Sequence, residues 1–287
     1  MLCIYHIADH DGKGSAAIVG RKFGDVEYLG FNHDMDVPWE AINRHNEIVV
    51  CDIALPLDIM FELSQSKDFT WIDHHLSVIE EYEAAIKSGK PEIKGLRENG
   101  TAAIELTWRY FFPDEVIPEG VKLLALHDLY DLRDKRVRPF EYAFQSLGVN
   151  KPQDTNWLDL FDGRIDIDEM VLKGNAILSW VHNRNHRLCK AMAFESKYKG
   201  KKCICANMPQ GYSEFYDGVR NIKNFAFMCN FFMSGKNTWN LSFYTVRDDI
   251  DVSKIAAEFG GGGHKRAAGA SGLKELPDFL RQGIPHK

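Results

Sequence analysis

The stretch Thr70-Trp71-Ile72-Asp73-His74-His75 decides the fold, because an apolar run ends there abruptly in one acid and two imidazoles. Residues 68–72 have the length and composition of a short buried strand, and a helical pattern starts at about Leu76. In open α/β sheets, ligand-bearing side chains gather at the carboxyl ends of strands. Three further element ends carry matching chemistry: His6-Ile7-Ala8-Asp9-His10-Asp11-Gly12, Val49-Val50-Cys51-Asp52, and Leu126-His127-Asp128 on a helix end or loop. A lone Asp-His-His could be a turn whose acid caps a helix while its imidazoles are solvated; recurrence at three more ends favours a shared site. Aspartate and neutral histidine supply the oxygen and nitrogen donors that suit manganese, zinc or iron, and about six to eight such groups suffice for two ions.

The surrounding pattern is α/β. Strands are expected over residues 2–8, Val26–Phe31, Glu47–Cys51 and Phe69–Ile72, alternating with helices over Lys13–Phe23, Leu57–Leu63 and Leu76–Ile86. Such alternation implies right-handed crossovers and a parallel sheet. Helices are expected up to Phe111 and over Val121–Leu129, with a short packed helix near Trp157 and Phe161. A long helix follows over 166–197, with Val171, Leu178, Val181, Leu188 and Met192 on one stripe. Beyond a lysine-rich shift near residues 195–201 come strands over Lys202–Ala206, Phe225–Phe231 and Trp239–Thr245, a helix over Val252–Phe259, and a glycine run. The expected organisation is therefore a first domain over 1–165, a helical connector over 166–197 and a smaller α/β domain over 198–287.

At 287 residues the chain is long enough for two cores, and 45% hydrophobic with 26% charged residues is an ordinary globular composition. No apolar run approaches the ~20 residues of a membrane span and no signal-peptide pattern opens the sequence, so no membrane partner and a cytoplasmic location are expected. The six cysteines form no Cys-x-x-Cys pair and fall mostly in apolar runs, which reads as buried free thiols. A net charge of −6 argues against broad adhesion to long duplex nucleic acid but leaves short phosphorylated ligands open. Arg133, Lys135, Arg136 and Arg138 read as a solvated face, Trp71 as core, and Tyr244, Phe243 and Arg247 as weak candidates for ligand contact.

Taken in order, these motifs resemble those of the DHH phosphoesterase family. Asp9-x-Asp11-Gly12 with Ser15, the acid-ended strand at Asp52, Asp73-His74-His75 and His127-Asp128 resemble its four N-terminal motifs. Gly261-Gly262-Gly263-His264, followed by Ala267-Ala268-Gly269, resembles the signature of the DHH-associated C-terminal domain. The pairing is similar to the bacterial nano-RNase and phosphoadenosine-phosphate phosphatase branch, and more distantly to RecJ-type exonucleases and family II pyrophosphatases. The resemblance implies a parallel-sheet DHH domain, a substrate-binding C-terminal domain, and an active site in the cleft between them. It also implies two Mn(II) ions, with magnesium or cobalt as substitutes. His6 and Asp9 would hold one ion, Asp11, His74 and Asp128 the other, and Asp52 would bridge both. His75 would face the substrate phosphate, and Asp73 would orient an imidazole from behind, as ligating histidines usually require. Gly261, Gly262, Gly263, His264, Lys265 and Arg266 would grip the substrate; proteins of this type are often dimeric, so the resemblance leaves a homodimer open, and no stretch of the sequence settles the oligomeric state. His10 stands between the two acids where a small residue is commoner; it either shares the ligand role or is a solvated loop histidine.

The residue types suit the implied chemistry. Phosphate esters resist hydrolysis because their charge repels nucleophiles; two cations ~3.5–4 Å apart lower the pKa of a bridging water and clamp the attacking and leaving oxygens. Asp9, Asp11, Asp52 and Asp128 offset the added charge, with Asp52 as the catalytic bridge and His75 as its companion. Backbone N–H groups in a glycine run can approach an anion closely, although a flexible turn would use the same residues. The implied activity is a manganese-dependent phosphoesterase acting on short nucleotides or oligonucleotides through a bridging hydroxide. Alternatives are a 3′-phosphoadenosine-5′-phosphate phosphatase, a hydrolase of linear products of cyclic dinucleotides, a single-stranded DNA exonuclease, and a polyphosphate or pyrophosphate hydrolase. A non-catalytic nucleotide-binding relative would have broken metal motifs, whereas every ligand position here is filled.

Overall fold

The β-branched and apolar runs near the N-terminus pair as β1 (Leu2–His6), β2 (Glu27–Phe31), β3 (Glu47–Cys51) and β4 (Asp68–Ile72), all parallel, in the order β2-β1-β3-β4. The computed structural model describes residues 1–33, 35–209 and 213–283. Crossovers are made by α1 (His10–Phe23), α2 (Trp39–Arg44) and α3 (Leu57–Ser66), and β4 leads into α4 (Leu76–Lys87). Five helices follow: α5 (Ala103–Phe111), α6 (Glu119–Asp128), α7 (Val137–Ser146), α8 (Thr155–Phe161) and α9 (Ile167–Met192).

Side-chain alternation along the strands builds two cores. Cys3, Tyr5, Val49, Cys51 and Ile72 face Ala16, Leu106, Leu124, Phe144 and Trp157. Leu2, Ile4, Ile48, Val50, Phe69 and Trp71 face Ile42, Phe61 and Tyr82 on the other side. Both faces are covered, so the strands are apolar throughout rather than alternating.

Three local expectations are corrected. The first strand stops at His6 rather than residue 8, because Asp9 caps α1 by accepting a hydrogen bond from the Gly12 N–H at 3.1 Å; the helix therefore begins at His10 rather than Lys13. Helices α2 and α7 are additions to the expected elements: α2 has only 6 residues, too few to show a period, and α7 carries Pro139 in its first turn. The helix expected over 166–197 ends at Met192, and Phe194–Tyr198 instead pairs as an antiparallel edge strand.

The chain divides into two compact units, Met1–Leu178 and Ser179–Lys287, and the division falls inside α9. The second unit is a mixed sheet of β5 (Phe194–Tyr198), β6 (Lys201–Asn207), β7 (Phe227–Met233), β8 (Trp239–Tyr244), β9 (Gly262–Gly263) and β10 (Ala267–Leu273), in the order β5-β6-β7-β8-β10-β9. Only β6 and β7 run parallel. One face packs Cys205, Cys229, Phe231 and Phe243 against Val252 and Ile255 of α10 (Val252–Ala257). The other packs Ile204, Ala206 and Met228 against Cys189, Phe215 and Tyr216. All six cysteines are free and buried. Among the described residues no helix is long and apolar enough to cross a membrane.

Candidate metal centre

The motif residues of the first unit converge at the carboxyl ends of β1, β3 and β4, which are neighbours in the sheet. His6 is the last residue of β1, Asp9 and Asp11 open α1, Asp52 follows β3, Asp73-His74-His75 joins β4 to α4, and Asp128 ends α6. The first turn of α1 lies directly against the end of β1: a Cβ on Gly12 would stand 2.2 Å from the His6 carbonyl oxygen, so only glycine fits. Asp52 adopts a left-handed φ of 59°, and its N–H still donates to the Ile72 carbonyl at 2.9 Å, so the chain turns without losing the ladder to β4.

Among the described residues, three groups of donors lie close enough to hold an ion, each with its donor atoms within 4.8 Å of one another: His6, Asp9 and Asp52; Asp11, His74 and Asp128; and Asp52, His74 and His75. His6 Nδ1 is 3.4 Å from Asp9 Oδ2 and 3.3 Å from Asp52 Oδ2. His74 Nε2 is 3.3 Å from Asp52 Oδ1, 3.5 Å from Asp128 Oδ2 and 3.7 Å from Asp11 Oδ2. Asp52 thus turns one carboxylate oxygen to each of the first two groups. Carboxylate and imidazole donors without a thiolate fit a hard or borderline divalent cation. Asp131 and Asp134, the other acids after α6, belong to none of these groups; they pair with Arg133 and Arg136.

The electrostatics are those of crowded buried acids. Burial, then the charges of Asp11 and Asp9, pushes Asp52 well above the usual carboxylate range. Asp128 is raised well above that range by burial and by Asp11 and Asp52, and Asp11 is raised by burial although His74 opposes it. Burial alone would lower His6, but hydrogen bonding to Asp52 and Asp9 outweighs it and pushes the imidazole up to about 10. Added positive charge relieves the crowding of these carboxylates.

Other residues hold these donor side chains in place. Asp73 is fully buried, and its Oδ1 accepts from the His74 N–H at 2.7 Å, the His75 N–H at 3.2 Å and His75 Nδ1 at 2.7 Å. Its Oδ2 accepts from Trp71 Nε1 at 3.2 Å. The imidazole that Asp73 orients is therefore His75. Asp11 is fixed by the N-terminus of α5, where the Ala103 and Ile104 N–H groups donate to its two oxygens at 2.8 Å each. His10 points away from solvent, with Nδ1 2.8 Å from Glu141 Oε1 and its ring edge-on to Phe144 and Trp157. Sequence reasoning missed the two α5 amides, 92 and 93 residues from Asp11, and Glu141, 131 residues from His10, because none of them carries a motif.

Gly261 to Arg266 belong to the second unit, where β9 and β10 form a tight hairpin: the His264 N–H donates to the Ala267 carbonyl at 2.8 Å and the Ala267 N–H returns to His264 at 3.2 Å. Gly263 has a φ of 133° and a Cβ there would lie 2.7 Å from Ala268 Cα, while one on Gly261 would lie 2.0 Å from the Gly269 carbonyl oxygen. A Cβ on Gly262 would meet nothing within 4 Å. Lys265 is exposed and Arg266 pairs with Asp248. Phe243 is buried core and Arg247 is tied to Asp249.

Residues 207–282 match the DHHA1 domain. An uncharacterised protein of Acanthamoeba polyphaga mimivirus is 25% identical over 308 residues, covering 96% of this chain and 69% of its own length. Among solved structures, the pGpG-specific phosphodiesterase PggH of Vibrio cholerae is similar over 98% of this chain and 96% of its own, with a TM-score of 0.52 at 11% identity. The DHH domain of a protein described as a member of a family of ribosomal proteins is similar over 95% of this chain and 82% of its own, with a TM-score of 0.53 at 12% identity. The chain therefore shares its fold with these structures and carries a DHHA1 domain in its second unit, and the ordered motifs of the first unit resemble those of the DHH phosphoesterases.

Proposed function

We propose that the protein is a metal-dependent phosphoesterase acting on short nucleotides, with two divalent cations, manganese first among them, held by His6, Asp9 and Asp52 on one side and by Asp52, Asp11, His74 and Asp128 on the other. The observation that carries this reading is the two-sided Asp52 carboxylate, with one oxygen 3.3 Å from His6 and the other 3.3 Å from His74. Two divalent cations, when bound, supply positive charge to a phosphate ester and make water a competent nucleophile at neutral pH.

The chain's own residues do the rest. Asp52 sets the spacing of the two donor groups through its left-handed turn. Asp11 is held by two backbone amides, which leaves its remaining lone pairs aimed at the second group. Asp73 takes the Nδ1 side of His75, so that Nε2 is turned away from it; burial opposes protonation of this ring, but Asp73 outweighs it and raises its pKa. His75 is thus set to face a phosphate oxygen and to hold a proton at Nε2 for the leaving group. The exposed Gly262, His264 and Lys265 of the hairpin are proposed to contact substrate anions.

PggH, whose fold this chain shares, is named for a linear dinucleotide. We take a 5′-phosphorylated dinucleotide as the leading substrate, cleaved by a soluble enzyme of the cytoplasm. The test is product analysis with manganese on labelled diribonucleotides, longer RNA and DNA, 3′-phosphoadenosine-5′-phosphate and pyrophosphate. Cleavage confined to the shortest RNAs supports the reading, turnover of the bisphosphate alone makes the enzyme a nucleotide phosphatase, and absence of manganese binding overturns it.

A further inference from the structure

His10 and Glu141 form a buried pair that belongs to none of the three donor groups. His10 lies between Asp9 and Asp11, is 9% exposed, and directs Nδ1 to Glu141 Oε1 at 2.8 Å. Its ring is held edge-on by Phe144 of α7 at 5.3 Å and by Trp157 of α8 at 5.9 Å between centroids. Glu141 itself sits on α7 with a side chain only 12% exposed. A buried carboxylate is costly unless paired, so this one is present with its partner or not at all. Burial would raise the Glu141 carboxyl, but His10 first and then His127, the neighbour of Asp128, hold it below its ordinary value.

Resting on the two-cation reading above, we propose that Glu141 is a positioning residue that acts through His10 to fix the Asp9-His10-Asp11 turn, and with it the angle at which both carboxylates meet the cations. The two acids are restrained from other sides: Asp9 accepts from the Gly12 N–H and pairs with His6, whereas Asp11 is tied to α5. Glu141 anchors the residue between them to a helix, which converts a capping turn into a rigid one. The arrangement places the support for the ligand set on α7, an element that contributes to none of the three donor groups.

The test is manganese binding measured by calorimetry and by the Mn(II) electron paramagnetic resonance signal, on the full chain. Glu141→Ala is expected to weaken manganese binding about 10- to 100-fold, as loss of an outer support typically does. Glu141→Gln keeps an acceptor oxygen at the same reach and should restore most of the affinity. Phe144→Leu, which loosens the packing on the same ring without touching the hydrogen bond, should lower the melting temperature but leave manganese affinity unchanged. Equal affinity in wild type and Glu141→Ala, or an equal loss in Phe144→Leu, overturns the inference while the two-cation reading stands. Should Glu141→Ala fail to fold, His10→Asn, which can still donate to Glu141, is compared with His10→Leu: retention of affinity in the first only is expected, and equal affinities overturn the inference. A wild type that binds no manganese overturns the two-cation reading and this inference with it.

Discussion

Asp52 Oδ1 lies 3.3 Å from His74 Nε2 across the carboxyl ends of β3 and β4, while the other oxygen of the same carboxylate lies 3.3 Å from His6 at the end of β1. One residue at the end of β3, the strand between β1 and β4, therefore presents one oxygen to the donor group on each side, and that position in the strand order is what lets it reach both.

Asp52→Asn separates charge from backbone. Asparagine tolerates the left-handed φ of 59° at this position, so the turn should survive. The expected result is a folded protein with manganese stoichiometry reduced from two and turnover down at least about 100-fold. Full turnover with two ions bound would remove Asp52 from the centre.

Stability should depend on pH in a direction that metal reverses. Folded-state pKa values of Asp11, Asp52 and Asp128 are raised by burial and mutual repulsion, so their contribution to stability is complete below the unfolded carboxylate value of about 3.9 and is lost as pH rises through the folded values. His6 has the same sign: its contribution is complete below about 6.5 and is lost as pH rises through the folded value of about 10. After chelation the melting temperature should fall as pH is raised from about 5 to 8, and the gain on adding manganese should grow over that window. Melting curves with chelator and with manganese measure both, and a gain that is flat with pH contradicts the account.

The glycines of the hairpin should separate into two kinds. Gly263→Ala meets a positive φ and Ala268 Cα at 2.7 Å, and Gly261→Ala meets the Gly269 carbonyl at 2.0 Å, so each should cost about 1–3 kcal/mol of stability. Gly262→Val enters open space and should leave folding and manganese binding as they are, within about 0.5 kcal/mol, while raising KM if this loop contacts substrate. Thermal melts and a KM determination on the three variants distinguish the roles.

Gly12→Ala tests the close approach of α1 to β1. The added methyl would sit 2.2 Å from the His6 carbonyl, forcing helix and strand apart at the point where Asp9, Asp11 and His6 meet. A loss of about 1–3 kcal/mol together with weaker manganese binding is expected, measured by denaturant unfolding and calorimetry. A variant that melts early yet binds manganese as tightly as wild type would show that the approach serves packing alone.

Much of this protein was legible in the order of its residues. Apolar strands that end in acids and imidazoles announce a parallel sheet with ligands at its carboxyl edge, because such strands are buried on both faces and only their ends reach solvent. Residue order located the four strands, with β1 ending two residues sooner than its apolar run, together with the ordered motifs and the DHHA1 match at residues 207–282. Tertiary structure alone decided the rest. His10 looked like a ligand or a solvated loop residue and is neither, since Phe144, Trp157 and Glu141 arrive from helices well over a hundred residues away. Asp11 is oriented by α5 amides, and hydrogen bonds to backbone leave no trace in residue identity. The two-sided role of Asp52 depends on β3 lying between β1 and β4, a strand order set by crossover packing over the whole sheet and not by any local pattern.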